Sequence, residues 1–286
     1  MHKKISVVIP TNKRLSFLKK LIYEIDSQVG NFDISIHIVH QSKRHVLVPN
    51  FLKKENIFYH NLRENNLSLA KNHGIKKAKH KIVTFIDDDV SISKNYFLLS
   101  WKFINKKKID MLFCKIVFKG TNTPISRNML KYNKKVNFLN ANSCLSSSMW
   151  LIKNFNNQIF FDKNFGLGSK FGSGEETDLI YRNLTSNKKI FYNSEIKIFH
   201  PYDLNKKNSF RRNYLKFFNY GLGQGALPKK HLKKNFSLFS YIFIISIFRS
   251  LFASIFYLLK FDIKNLGKHS GLFFGKINGF IINNGK

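Results

Sequence analysis

The sequence predicts an α/β fold: a mostly parallel sheet flanked by helices, followed by a helical extension that associates with membranes. Three observations predict it. Short β-branched runs alternate with helix-spaced apolar positions early in the chain, three consecutive aspartates follow one of those runs, and a 24-residue stretch near the C-terminus carries a single charge.

The first run, residues 5–10 in K-K-I-S-V-V-I-P-T, is too short for the core of a signal peptide and reads as a buried strand. Leu15, Leu18, Ile22 and Ile25 then recur at helical spacing, and Gly30 offers a stop. Residues 34–39 read as a second strand, 57–60 as a short third, 67–78 as a second helix and 82–86 as another strand. This alternation builds a parallel sheet with covering helices. Farther on, residues 101–104 fall in a helix, 111–118 in a strand, and 121–135 in a loop-rich stretch. Residues 142–151 read as a strand entered through small polar residues, and 176–184 as a helix.

Composition narrows the function classes. The chain has 286 residues, 43% of them apolar and 15% aromatic, which suits a packed body and not a disordered one. Two cysteines, Cys114 and Cys144, supply neither a disulfide framework nor a thiolate zinc site, so a reducing, cytoplasmic setting fits. Lys and Arg number 49 against 16 acids, a net charge of +33. Such a field attracts polyanions, yet Lys, Asn, Ile and Phe are all abundant together, as AT-biased coding alone would produce. The acids say more: six of them sit in two short clusters, Asp87–Asp88–Asp89 and Glu175–Glu176 with Asp178.

From residue 201 onward there are fifteen Lys and Arg against two acids, and residues 236–259 carry a single charge, Arg249. That length is enough to cross a bilayer, and the mid-segment Arg would cost roughly 2.5–3.5 kcal/mol there. Both flanks are basic, Lys229, Lys230, Lys233 and Lys234 before and Lys260, Lys264, Lys268 and Lys276 after. Charge asymmetry therefore gives no orientation and favours a helix or hairpin embedded in one leaflet. The competing reading is a buried helix of a soluble domain.

Three neighbouring aspartates at a strand end repel one another unless a cation or hydrogen-bond donors compensate. In α/β sheets, ligands bind beyond the carboxyl ends of strands, where this triplet lies. Asp87 and Asp89, one residue apart, could share a divalent ion, since Mg²⁺ uses one or two carboxylates plus phosphate oxygens and water. A solvated acidic turn is the alternative. In S-G-E-E-T-D-L-I-Y-R, Ser173 and Glu176 also have capping-box spacing, and Asp178 and Arg182 the spacing of a helical ion pair.

Five strings occur together and in order: I-S-V-V-I-P-T-N-K-R, N-N-L-S-L-A-K-N-H-G-I, V-T-F-I-D-D-D-V, F-G-S-G-E-E-T-D-L-I-Y-R and I-F-H-P. Over about residues 5–205 the chain resembles the family 2 glycosyltransferases of the GT-A fold. The resemblance implies a hexosyltransferase-type enzyme that uses a nucleotide-diphosphate sugar, usually UDP-linked, with Mn²⁺ or Mg²⁺. It makes Asp89 the main metal ligand, sets Asp87 between ribose and metal, and lets His200 complete the metal site. Pro10, Thr11 and Arg14 then lie along the nucleotide, Lys71 and Asn72 near the base, and Gln41 and Asp88 join the donor-binding candidates. Where relatives carry an acid after the second strand, this chain has His40, which leaves the base open. Glu175–Glu176 take the place of the family's catalytic pair, with Glu176 the base that deprotonates the acceptor hydroxyl and Glu175 the runner-up. Gly166, Gly168, Gly172 and Gly174 suit a mobile loop closing over the substrates, or simple linkage flexibility.

The expected organisation is residues 1–205 as the GT-A domain, with 1–90 the nucleotide-binding half and 91–205 the acceptor half, and residues 206–286 as the membrane-associating extension. The expected function is inverting, metal-dependent transfer of a sugar to a glycan, likened to bacterial surface polysaccharide synthesis on a lipid-linked acceptor. It is set at the cytoplasmic face of the inner membrane, as a peripheral, monotopic or single-pass protein, with no nucleic-acid partner. The alternative is a non-catalytic basic module that binds membrane or nucleic acid on a transferase-like fold.

Overall fold

A computed structural model describes residues 3–12, 15–44, 47–126, 129–144, 148–152, 159–201 and 209–282. The chain divides into two compact units, Met1–Phe161 with Leu179–Tyr202, and Asp162–Asp178 with Asp203–Lys286. The expected boundary near residue 205 is therefore only part of the division. The segment Asp162–Asp178 groups with the C-terminal residues because Phe165 and Phe171 bury themselves against Ala226 and Leu227.

The first unit is a mixed sheet with covering helices. In chain order it contains β1 (Lys3–Thr11), α1 (Leu15–Asp26), β2 (Phe32–Gln41), β3 (Ile57–Leu62), α2 (Leu67–Lys77), β4 (Ile82–Ile86), β5 (Ser91–Ile92) and α3 (Tyr96–Lys107). Then follow β6 (Met111–Phe118), β7 (Lys134–Lys135), β8 (Ser148–Ile152), α4 (Glu175–Thr185), whose residues up to Asp178 belong to the second unit, and β9 (Ile190–His200). Among the described residues the sheet order is β3-β2-β1-β4-β8-β6-β9-β5, with β7 on β9. The β3-β2-β1-β4 half is parallel, and antiparallel pairs enter with β8, β5 and β7.

Residue type explains the layering. β4 and the last seven residues of β1 are buried at every position, as strands covered on both faces must be. Leu18, Leu21, Ile22 and Ile25 form the inner face of α1. Gly74 lets α2 settle on β1, since a Cβ there would stand 2.2 Å from Val8 Cγ1. Beneath the second half lies an aromatic cluster in which Trp150 Nε1 donates to Tyr96 Oη at 2.8 Å. The strand expected over 142–151 is shorter than its apolar pattern: residues Ala141–Ser143 wind into a 3₁₀ turn and pairing begins at β8.

The second unit is helical: α5 (Phe210–His231), α6 (Phe236–Leu259) and α7 (Ile263–Ile282). α5 and α7 lie parallel and almost backbone to backbone. Hypothetical Cβ atoms on Gly267, Gly271, Gly275 and Gly279 would stand 2.7, 2.4, 2.2 and 2.0 Å from the carbonyl oxygens of Phe210, Tyr214, Phe218 and Leu222. Four glycines, one per turn, thus mesh with four successive turns of α5. α6 runs the other way along α7, with Phe243 stacked on Phe280 and Tyr257 on His269. The helix is long and apolar enough to cross a membrane, and only 6% of its apolar window is buried.

Candidate functional site

The acidic triplet occupies the turn between β4 and β5, at the carboxyl end of the fully buried β4. Its three members do different things. Asp88 points inward, 6% exposed, and accepts a hydrogen bond from Thr11 Oγ1 at 2.5 Å. This bond ties the turn to the end of β1 and occupies Thr11, a residue expected along the nucleotide. Asp89 faces the end of β9. The pairing of Ser91 with Phe199 carries the chain back so that Asp89 Oδ2 stands 3.8 Å from His200 Nε2. A bulge in β9 opposite Cys114/Lys115 shifts the register, which then pairs Phe118 with His200.

The two groups are suited to a cation. His200 Nδ1 lies 2.9 Å from the carbonyl oxygen of Pro201, which can only accept, so Nδ1 carries the proton of the neutral ring. Nε2 therefore presents a lone pair toward a carboxylate oxygen, and two acceptors so placed invite a shared proton or a metal ion. Asp87, half-buried in the same turn, does not make a third: among the described residues no three His, Cys, Asp or Glu side chains gather into a metal-sized group. A two-donor protein set fits Mg²⁺ or Mn²⁺, whose remaining positions go to phosphate oxygens and water.

Several donor candidates have structural duties. Asn72 grips the main chain of Phe161 from both sides, its Nδ2 donating to the carbonyl at 2.8 Å and its Oδ1 accepting from the amide at 2.7 Å. Lys71, where exposure is the rule for lysine, is 3% exposed with Nζ over the Phe161 ring. Pro10, next to last in β1, and Gln41, the last residue of β2, are both buried. Gln41 Oε1 has no hydrogen-bond partner among the described residues. His40 is buried with Nδ1 against Tyr59 Oη, a partner nineteen residues away that no local pattern announces. Burial pushes the Tyr59 phenol above its ordinary value. Arg14 lies outside the described residues.

In the second unit, Glu175 and Glu176 open α4, half-buried at its positive N-terminal end, a position that favours acids. The capping box suggested by Ser173 and Glu176 does not form. Gly174, at φ +95°, is the residue before the helix and accepts its first bond from Asp178 N, while Ser173 Oγ donates to Tyr220 O at 2.7 Å. The glycine-rich segment is a compact turn bonded to itself: Gly166 N donates to Phe171 O, Phe171 N to Asn164 O, and Ser169 Oγ to Gly166 O.

Asp178 is fully buried and meets Lys230 Nζ at 2.7 Å and His231 Nε2 at 2.9 Å, and Lys230 also pairs with Asp162 at 2.7 Å. Arg182, the expected helical partner of Asp178, donates to Phe160 O at 2.6 Å. Burial lowers the basicity of His231, against the pull of Asp178, so its neutral form donates from Nε2. Beside this helix start is a cavity of about 350 Å³ lined in part by Gly168, Lys170, Gly172, Lys216, Asn219 and Tyr220. Burial first, then the Glu175 charge, raises the Tyr220 phenol. The sequence assigns no role to Lys216, Asn219, Tyr220, Lys230 and His231; Lys230 and His231 reach Asp178 across some fifty residues of chain, a meeting that no local spacing announces.

Residues 6–170 match glycosyl transferase family 2. Among solved structures, TarS from S. aureus is similar to the chain at 16% identity and TM-score 0.60, over 93% of this chain and 55% of that one. The chain thus spans about half the length of that TarS. TarS 1–349 in complex with UDP-GlcNAc is similar at 16% identity and TM-score 0.58, over 93% and 90%. The mannosyltransferase PcManGT from Pyrobaculum calidifontis, in complex with GDP-Man and Mn²⁺, is similar at 9% identity and TM-score 0.56, over 99% and 87%. At such identities these likenesses establish the GT-A-like fold. No curated protein matches.

Proposed function

Because the chain belongs to glycosyl transferase family 2, with more than half of it matching, we propose that it moves a sugar from a nucleotide-diphosphate donor to a hydroxyl of a glycan acceptor. The observation that carries this reading is the Asp89–His200 pair at the carboxyl end of the sheet, two lone-pair donors 3.8 Å apart where α/β sheets bind ligands. The donor is a UDP-sugar in the first instance, in line with the UDP-GlcNAc of one neighbour, with GDP-Man in another. Asp89 and His200 would hold a divalent cation with Asp87 toward the ribose, and that ion would offset charge on the departing diphosphate. Imidazole in the set favours Mn²⁺ over Mg²⁺.

Thr11 and Asp88 hold the turn that presents Asp89, and Asn72 fixes the chain beside Lys71. Gln41, with Pro10, Lys71 and Arg14, is assigned to the nucleotide. Gln41 Oε1 is a buried acceptor that a base N–H could satisfy. Glu176 takes the proton of the acceptor hydroxyl, with Glu175 as the runner-up. The freed oxygen attacks the anomeric carbon in line as the bond to the diphosphate breaks, and the leaving oxygen keeps the electron pair. The configuration inverts. The acceptor is assigned to a lipid-linked glycan of bacterial surface polysaccharide synthesis, met at a membrane surface on the cytoplasmic side.

A panel of nucleotide sugars, assayed for donor hydrolysis and transfer with and without Mn²⁺ or Mg²⁺, tests the assignment. Asp89→Ala and Glu176→Gln should each lower turnover by about 10²-fold or more while melting stays unchanged. Unchanged turnover in both folded variants would overturn the roles, and no metal-dependent turnover with any donor would favour the non-catalytic module.

A further inference from the structure

α6 exposes an apolar face, while its inner face carries polar groups among its aromatic contacts. Tyr241, Phe248, Phe252, Phe256 and Leu259 are 54%, 50%, 65%, 49% and 74% exposed. The face toward α7 carries Ser246 and Ser250, whose carbonyl and hydroxyl oxygens accept from Lys276 Nζ at 2.8 and 2.7 Å, and Lys276 is only 4% exposed. In water the hydrophobic effect favours the reverse arrangement, and an exposed apolar stripe of this extent marks a contact surface.

We propose that α6 lies in the plane of the membrane, its outer face sunk in one leaflet of an anionic phospholipid bilayer, and does not cross it. The proposal rests on the membrane-surface reading above and decides how that surface is met. By length alone α6 could cross, since 24 residues span about 36 Å. Its companions prevent it. Contacts of α7 run from one end of α6 to the other, through His269 on Tyr257, Lys276 on Ser250 and Phe280 on Phe243. α5 is meshed with α7 in turn. Carrying α6 through hydrocarbon would carry with it exposed Arg211, Arg212 and Lys216 of α5 and Lys264 of α7.

Arg249 and Lys260, both exposed, give the orientation. At about 100° per residue they stand roughly 100° and 120° around the helix from Phe248, on the same edge of the apolar stripe. With α6 in the plane, that edge lies at head-group depth along its whole length. In a spanning helix, Arg249 would sit at the midplane instead. Exposed Lys233, Lys234, Lys260 and Lys264 at the helix ends complement anionic head groups.

The test uses the full chain added to vesicles of phosphatidylethanolamine with phosphatidylglycerol. Spin labels at Tyr241→Cys, Phe248→Cys and Leu259→Cys are read for depth with oxygen and a water-soluble relaxant. All three should report one shallow depth. A profile deepest at 248 and shallow at 241 and 259 would overturn the in-plane arrangement and leave membrane binding standing. No binding to these vesicles would overturn the membrane reading and this proposal with it. Phe248→Glu with Phe252→Glu should lower the bound fraction about tenfold or more with circular dichroism unchanged. If the wild-type chain is instead a dimer without lipid and this double variant a monomer, a second copy covers α6 and the proposal fails.

Discussion

The two units bury opposite things. In the sheet unit the interior is Ile, Val, Leu and aromatic side chains, filled to the point where Trp150 and Tyr96 are almost fully enclosed. In the helical unit the closest contacts are between backbones, Lys276 lies inside, and Phe248, Phe252 and Phe256 of α6 lie outside. One is stabilised by removing side chains from water, the other by bringing peptide groups close enough for dispersion and weak C–H···O contacts. The difference teaches that the same apolar residues fit two interiors, one of protein and one of lipid.

Opposite substitutions should therefore break the two units. Trp150→Ala empties the sheet core and should cost about 3–5 kcal/mol, read as a shift of the denaturation midpoint by tryptophan fluorescence from Trp101. Gly225→Val does its damage by addition. Its Cβ would stand 1.9 Å from Lys276 O, and the helical unit should lose about 1–3 kcal/mol or more by circular dichroism while Trp101 and Trp150 fluorescence holds. If the glycine variant is as stable as wild type, the backbone-contact account of the bundle is wrong.

Acid should weaken both units together. Burial holds His60 and His269 down to about 4 and lowers His73, His80 and His231. The unfolded chain takes up these protons near the ordinary histidine value of about 6.5, before the folded one does, so stability falls as pH drops below that value. Melting temperature should decline steadily from pH 7 toward 4.

Alkali should separate them, with a smaller effect. Lys276 is lowered to about 8 by burial and then by Arg249, so from pH 8 to 10.5 the unfolded chain binds more protons and the helical unit gains stability. Cys114 and Cys144 are pushed up to about 12 by burial, so above pH 9 the folded sheet unit holds protons the unfolded chain has lost, and it weakens. Lys276→Met should abolish the gain. A fall of both units in parallel between pH 8 and 10.5 would contradict the contrast.

Much of the sheet unit was legible because its signals are local. The runs that became β1, β2 and β4 are apolar and β-branched, and the acidic triplet directly follows β4. Asp89 and His200 are 111 residues apart, and their approach depends on the pairing of β5 with β9, which a two-residue strand hardly announces. Asp178 shows the limit from the other side. Its spacing to Arg182 fits a helical pair, yet it meets Lys230 and His231, because a fully buried carboxylate needs several donors at once. The four-residue glycine period of α7 gains meaning only from the structure, since nothing local names α5 as the surface it meets.

That period leaves a question of alignment for the folding chain. A rack with identical teeth meshes equally well one notch along, and sliding α7 by four residues, about 6 Å, would again set most glycines against carbonyls. The notch must be chosen by features that occur once. Asn213 Nδ2 on the carbonyl of Lys264 at 3.1 Å is one, and the ammonium of Lys276 lodged between Ser246 and Ser250 is another. Few in number and polar, they act as the pawl on this ratchet.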